Sequence, residues 1–168
     1  MTKRARFWAG AILAIGTAGW AAAATDTSTA RFDNFKALAG DWTESGGDGS
    51  VKASYRVTSG GSAVVETLLP GTPEEMVTVF TVDKGELVLT HYCAQGNQPH
   101  MTAVKGGDAK TIVFKFDGGG NMKSSKDGHM HEATFVFKDA DHLTSTWQYY
   151  KDGKPGEKAE FDHVRRKS

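Results

Sequence analysis

The sequence predicts an all-β domain, an antiparallel up-and-down barrel of about ten strands preceded by one short helix. Three observations carry this reading. Apolar residues alternate with polar ones at period two over most of the chain. Turn residues separate these runs at short, regular intervals. A meander of about ten strands leaves two unpaired edges, which closure into a barrel removes.

The elements follow in order. Phe32, Phe35 and Leu38 recur at spacing three and predict a short helix over 32–39. Gly40–Ser45 is the first strand. Val51, Ala53, Tyr55 and Val57 alternate with Lys52, Ser54 and Arg56, which is the pattern of a half-buried strand. Gly60-Gly61 turns the chain into Ala63–Leu69, which Pro70-Gly71-Thr72-Pro73 ends. Glu75–Val82 and Glu86–Cys93 flank the turn Asp83-Lys84-Gly85. After a loop over 94–98, Pro99–Val104 is read as a strand. Ile112–Phe116 is another, ending at Gly118-Gly119-Gly120. His129–Lys138, His142–Tyr150 and Lys158–Arg165 complete the set, the last entered through Asp152-Gly153-Lys154-Pro155-Gly156.

The N-terminus reads as an export signal. Lys3, Arg4 and Arg6 precede an uncharged, mostly apolar stretch from Phe7 to Trp20, and Ala22-Ala23-Ala24 offers small residues for cleavage after residue 24. The apolar run is about 14 residues, short of the roughly 20 a spanning helix needs. The expected organisation is therefore a signal peptide over 1–24, a flexible leader over 25–31 and a single barrel domain over 32–168. The mature chain is expected in the periplasm or outside the cell, with no integral membrane span. It keeps 144 residues, with 17 Lys and Arg against 20 Asp and Glu, a formal charge of −3. A near-neutral chain without a long basic run argues against nucleic acid or an anionic membrane surface as partner. The single cysteine, Cys93, excludes an internal disulfide.

Candidate site residues come from strand parity. His91 and Cys93 share the face of Leu87 and Leu89. His129 and His131 share that of Ala133, Phe135 and Phe137. Trp147 and Tyr149 continue the face of Leu143 and Ser145, and Tyr55 lies with Val51 and Ala53. Glu66 is included with its face undecided. An interior of aromatic, imidazole and a few polar groups suits a small, partly apolar ligand. The ligand-binding expectation thus covers Tyr55, Glu66, His91, Cys93, His131, Trp147 and Tyr149. Asn97 and Gln98 join it if their loop sits at the barrel mouth, where amides can either meet a ligand or cap the turn.

An alternative reading is a metal or haem site. His91-x-Cys93 and His129-x-His131 are pairs at spacing two on strands, and His100, Met101 and Met130 would add ligands suited to copper. A third is a packed barrel acting through its surface. No nucleophile elbow or local cysteine-hydrolase signature is present, so the reading leans away from an enzyme, and no cofactor is assigned.

Gly40-Asp41-Trp42, a Gly-x-Trp on the first strand just after a short helix, and Arg165 near the end resemble a pair shared by the calycins. These are the lipocalin, fatty-acid-binding and nitrobindin-like barrels. The resemblance implies a closed barrel in which Arg165, or alternatively Arg166, lies over Trp42 and closes one end. It does not extend to the haem-binding motifs of nitrobindin or the carboxylate-binding basic pair of fatty-acid-binding proteins. The segment Leu89-Thr90-His91-Tyr92-Cys93 with Gly96-Asn97-Gln98-Pro99 also resembles a group of exported bacterial proteins of unknown function.

Overall fold

A computed structural model describes residues 27–167. The expected signal peptide over 1–24 lies outside the described residues, as do residues 25 and 26 of the expected leader. Helix α1 spans Thr27–Ala37. Residues 27–31 are therefore helical, which corrects the reading of a flexible leader there and of a helix beginning at Phe32. Thr27, Ser28 and Thr29 have no strong helical preference. The turn is instead anchored by tertiary contacts: Arg31 Nη1 donates to the carbonyl of Val104 at 2.9 Å, and Phe32 and Phe35 are buried.

Ten strands follow: β1 Gly40–Glu44, β2 Val51–Thr58, β3 Ala63–Leu68, β4 Met76–Asp83, β5 Glu86–Tyr92, β6 Gln98–Ala103, β7 Thr111–Gly120, β8 His129–Phe137, β9 His142–Lys151 and β10 Lys154–Arg165. Each pairs antiparallel with its neighbours in sequence, and β1 also pairs with β10, closing the barrel. Two hairpins have two-residue turns, Lys84-Gly85 and Asp152-Gly153. All four of these residues have positive φ, between 48° and 79°. That is the turn whose twist matches paired strands, and glycine supplies its second position without strain.

Strand β7 runs through Gly118-Gly119-Gly120 rather than ending there, and it pairs with Gln98–His100 of β6. A Cβ at position 119 would sit 2.8 Å from the Gln98 carbonyl oxygen and 3.0 Å from the Pro99 Cα. The glycine lets β6 close in where a larger residue would hold it off.

The helix plugs one end of the bore. The Phe35 ring stacks on Phe80 at 4.2 Å and meets Phe114, Phe135 and Phe137 edge-on at 5.2–5.9 Å. These partners come from β4, β7 and β8, so one helical side chain ties separate parts of the wall together. Arg165 lies over the Trp42 ring at 4.4 Å. Its guanidinium also donates to the carbonyls of Ala37 and Ala39, at 2.8 and 2.9 Å, where the helix ends. The Trp42 indole N–H donates to the Leu38 carbonyl at 2.8 Å. The expected Trp42–Arg165 pair is thus present, and it also satisfies helix carbonyls that the last turn leaves without partners.

Candidate functional site: a polar layer beneath the unplugged end

Above the aromatic plug, four side chains form a row across adjacent strands. Tyr55 of β2 is directly opposite Glu66 of β3, Glu66 opposite Thr78 of β4, and Thr78 opposite His91 of β5. All four are buried. Tyr55 donates its hydroxyl to Glu66 Oε1 at 2.6 Å, and Thr78 Oγ1 lies 3.0 Å from His91 Nδ1. Trp147 of β9 packs against the row, its ring tilted by 37° to that of His91 with centroids 4.6 Å apart. The pairing of β2 with β3 settles the face of Glu66: it points inward beside Tyr55.

Burial sets the protonation of the row. It holds the Tyr55 phenol well above its usual range, and the Glu66 carboxyl beside it adds to that rise. Burial raises Glu66, against the lowering effect of the Tyr55 and Thr78 hydroxyls. It pushes His91 down to about 4. Tyr55 and His91 are therefore neutral near pH 7.

Three atoms of this layer are buried without a hydrogen-bond partner: Glu66 Oε2, His91 Nε2 and the Trp147 indole N–H. A partnerless buried polar group costs about 1–3 kcal/mol, so three in one layer call for a physical account. Ser145 Oγ of β9 and both ring nitrogens of His163 of β10 are in the same condition.

A recess of about 460 Å³ opens at the end of the barrel opposite the helix, lined by Gln95, Met130, Tyr149, Gly156, Glu157, Lys158 and Ala159. Ala159 pairs with Trp147, and Met130 with Tyr149, so the recess adjoins the polar layer. Tyr149 is lodged between two glycines. A Cβ on Gly128 would fall 1.8 Å from its hydroxyl oxygen, and one on Gly156 would fall 3.0 Å from its ring. The β5–β6 loop reaches over this end. Gly96 N–H donates to the Cys93 carbonyl, Cys93 N–H to the Asn97 carbonyl, and the Asn97 amide to the Gly128 carbonyl at 2.7 Å.

The structure thus brings Tyr55, Glu66, His91 and Trp147 into one layer and sets Tyr149 at the recess beside it. The other expected site residues are placed differently. Strand β5 ends at Tyr92, so Cys93 belongs to the turn and is buried there. The amides of Asn97 and Gln98 satisfy backbone carbonyls, Gln98 that of Gly96, though Asn97 Oδ1 is buried and unpartnered. His100 pairs with Asp117, on which Thr102 also donates. A bulge between Met130 and Glu132 breaks the alternation expected of β8. His131 stacks on Tyr150 at 4.1 Å, and the His129 ring lies tilted against Phe116 at 4.1 Å.

The two histidines lie 3.0 Å apart, His129 Nε2 to His131 Nδ1. His129 Nδ1 is 2.7 Å from the Asp127 carbonyl. A carbonyl only accepts, so His129 Nδ1 carries a proton, and in the neutral ring Nε2 is then the acceptor for His131. The contacts of His91, by contrast, run to Thr78 and Trp147. Among the described residues, no group of three or more His, Cys, Asp or Glu is arranged to hold a metal ion.

Sequence reasoning passed over Thr78 and His163. Thr78 shares the parity of the buried Phe80 on β4, and His163 that of Phe161 on β10, so alternation contained the signal for both. No protein-family model matches the chain, and no curated protein matches it in sequence.

Proposed function

We propose that this chain is an exported, calycin-like barrel that binds one small, partly apolar molecule at its unplugged end. The observation that carries the reading is the set of three partnerless polar atoms, Glu66 Oε2, His91 Nε2 and Trp147 Nε1, buried beside an open recess. Below this level the bore is filled by side chains, since His91 packs on Trp147. A ligand therefore sits in the mouth with its polar end turned down toward the layer. Met130, Tyr149 and Ala159 offer it apolar contact, and the Trp147 N–H can donate to it while an unprotonated imidazole nitrogen accepts. The charged residues before Phe7 and the three alanines at 22–24 support export. The stacked Trp42–Arg165 pair, on first and last strands, supports the calycin likeness.

Native mass spectrometry of the chain purified from the periplasm tests the reading. The expected result is a mass beginning at Thr25 with an organic adduct that is lost on denaturation. Glu66→Gln and Trp147→Phe reduce the adduct by about tenfold each, the scale of one lost buried hydrogen bond. An adduct with the mass of a metal ion or haem moves the assignment to the histidine pairs. A bare mass, with no change in Trp147 fluorescence across a panel of fatty acids and aromatic amphiphiles, rejects ligand binding.

A further inference from the structure

A second recess, of about 400 Å³, lies at the opposite, plugged end between the first described turn of α1 and the β4–β5 turn. Its lining includes Thr27, Arg31, Lys84, Glu86, Leu87 and Lys105. Arg31 is only 5% exposed. Its Nη1 donates to the neutral carbonyl of Val104, and its Nε is buried with no partner. Among the described residues, no carboxylate pairs with it. The acid in the lining is already engaged, since Glu86 Oε1 is 2.9 Å from Lys105 Nζ. Among the described residues, Arg31 and Lys84 are left as two cations without a partner anion, lining one recess. A buried guanidinium with an open donor and no counter-charge is a costly arrangement unless an anion completes it. Its planar fork of N–H groups matches the oxygens of a carboxylate or phosphate.

We propose that the plugged end carries a binding site for the oxyanion group of a small solute, a carboxylate or phosphate, anchored by Arg31 and attracted by Lys84. This site is separate from the mouth. It shares no lining residue with the mouth recess, and its occupant is held by charge rather than by apolar contact.

The test is calorimetric titration of the mature chain with inorganic phosphate and, separately, with acetate, against chloride at matched ionic strength. Saturable binding of one phosphate or acetate per chain is the expected result, and which of the two binds more tightly distinguishes a phosphate from a carboxylate site. Lys84 is exposed, so Lys84→Glu keeps the fold, verified by an unchanged thermal midpoint without added anion. It weakens binding by about tenfold, as expected for reversing one charge beside an anion. Arg31→Gln abolishes the heat. Absence of saturable binding by both anions overturns the proposal. So does binding that Lys84→Glu leaves unchanged, whether or not Arg31→Gln folds.

Discussion

His163 is an expensive side chain for the barrel to hold. It is fully buried, it stacks on Phe161 with ring centroids 5.6 Å apart, and neither of its ring nitrogens has a partner. Replacing a partnerless buried polar group by an apolar one of similar size is neutral or stabilising. His163→Leu is therefore expected to raise stability near neutral pH by about 1 kcal/mol, read as a higher urea midpoint. A loss of comparable size would mean that the imidazole has a partner in solution. The same residue shapes the acid response. Burial holds both His163 and His91 at about 4, against an ordinary value of 6.5. The unfolded chain thus binds more protons between these values. The stability linked to the neutral imidazoles is complete above pH 6.5 and is lost as pH falls toward 4. Glu66 has the opposite sign: its raised pKa favours the folded state below the ordinary carboxyl value and loses that contribution as pH rises. Urea midpoints measured from pH 7 down to 4 are expected to fall for the wild type and to fall less steeply for His163→Leu.

Among the elements, the junction of α1 with β1 and β10 depends most on one residue. Arg165 covers Trp42 and donates to carbonyls at the end of α1 and to that of Ala140 in the β8–β9 turn. Arg165→Lys retains the charge but loses the planar fork and the stack, and is expected to cost about 1–2 kcal/mol. Thermal unfolding measures the cost, and a red-shifted Trp42 emission locates it. If the lysine variant matches wild type in both, the guanidinium geometry is irrelevant to closure. This junction was legible only through resemblance: Gly40-Asp41-Trp42 and a late arginine are similar to a calycin pair, with Arg166 as the alternative to Arg165. The strands were legible from the residues themselves: a two-residue period and Asp-Gly or Lys-Gly turns leave little freedom. The bulge at His131 was not. One inserted residue re-aims a histidine without changing composition or pattern, so strict parity carried His129 and His131 to the interior face of Ala133. The first turn of α1 was equally hidden, because Thr27–Ala30 is helical through contacts that Arg31 and Phe32 make elsewhere. The glycines at 118–120 look like a terminator, yet they serve close strand approach. In the polar layer, His91, Tyr55 and Trp147 could be read from alternation. The placement of Glu66 needed its partner strand, since Val64-Val65-Glu66-Thr67 has no clear apolar face.

For the whole molecule, one side chain forms the aromatic centre of the contact between helix and wall. Phe35 is fully buried and touches four phenylalanines. Phe35→Ala is expected to cost about 3–5 kcal/mol, the usual penalty for emptying a large aromatic site that cannot collapse. Hydrogen exchange is then expected to rise in α1 before it rises in the central strands; uniform exchange would mean that the helix and barrel open together. Closure of the barrel adds a constraint of another kind. Thr43 and Val164 meet across 121 positions of chain. Every other strand pair joins neighbours in sequence and can assemble hairpin by hairpin. The final seam cannot, because it joins the first strand of the barrel to the tenth. Until β10 arrives, β1 and β9 each present a bare row of backbone donors and acceptors, an open template for a second chain. The non-local seam therefore sets a window during folding in which this protein must be kept from its own copies.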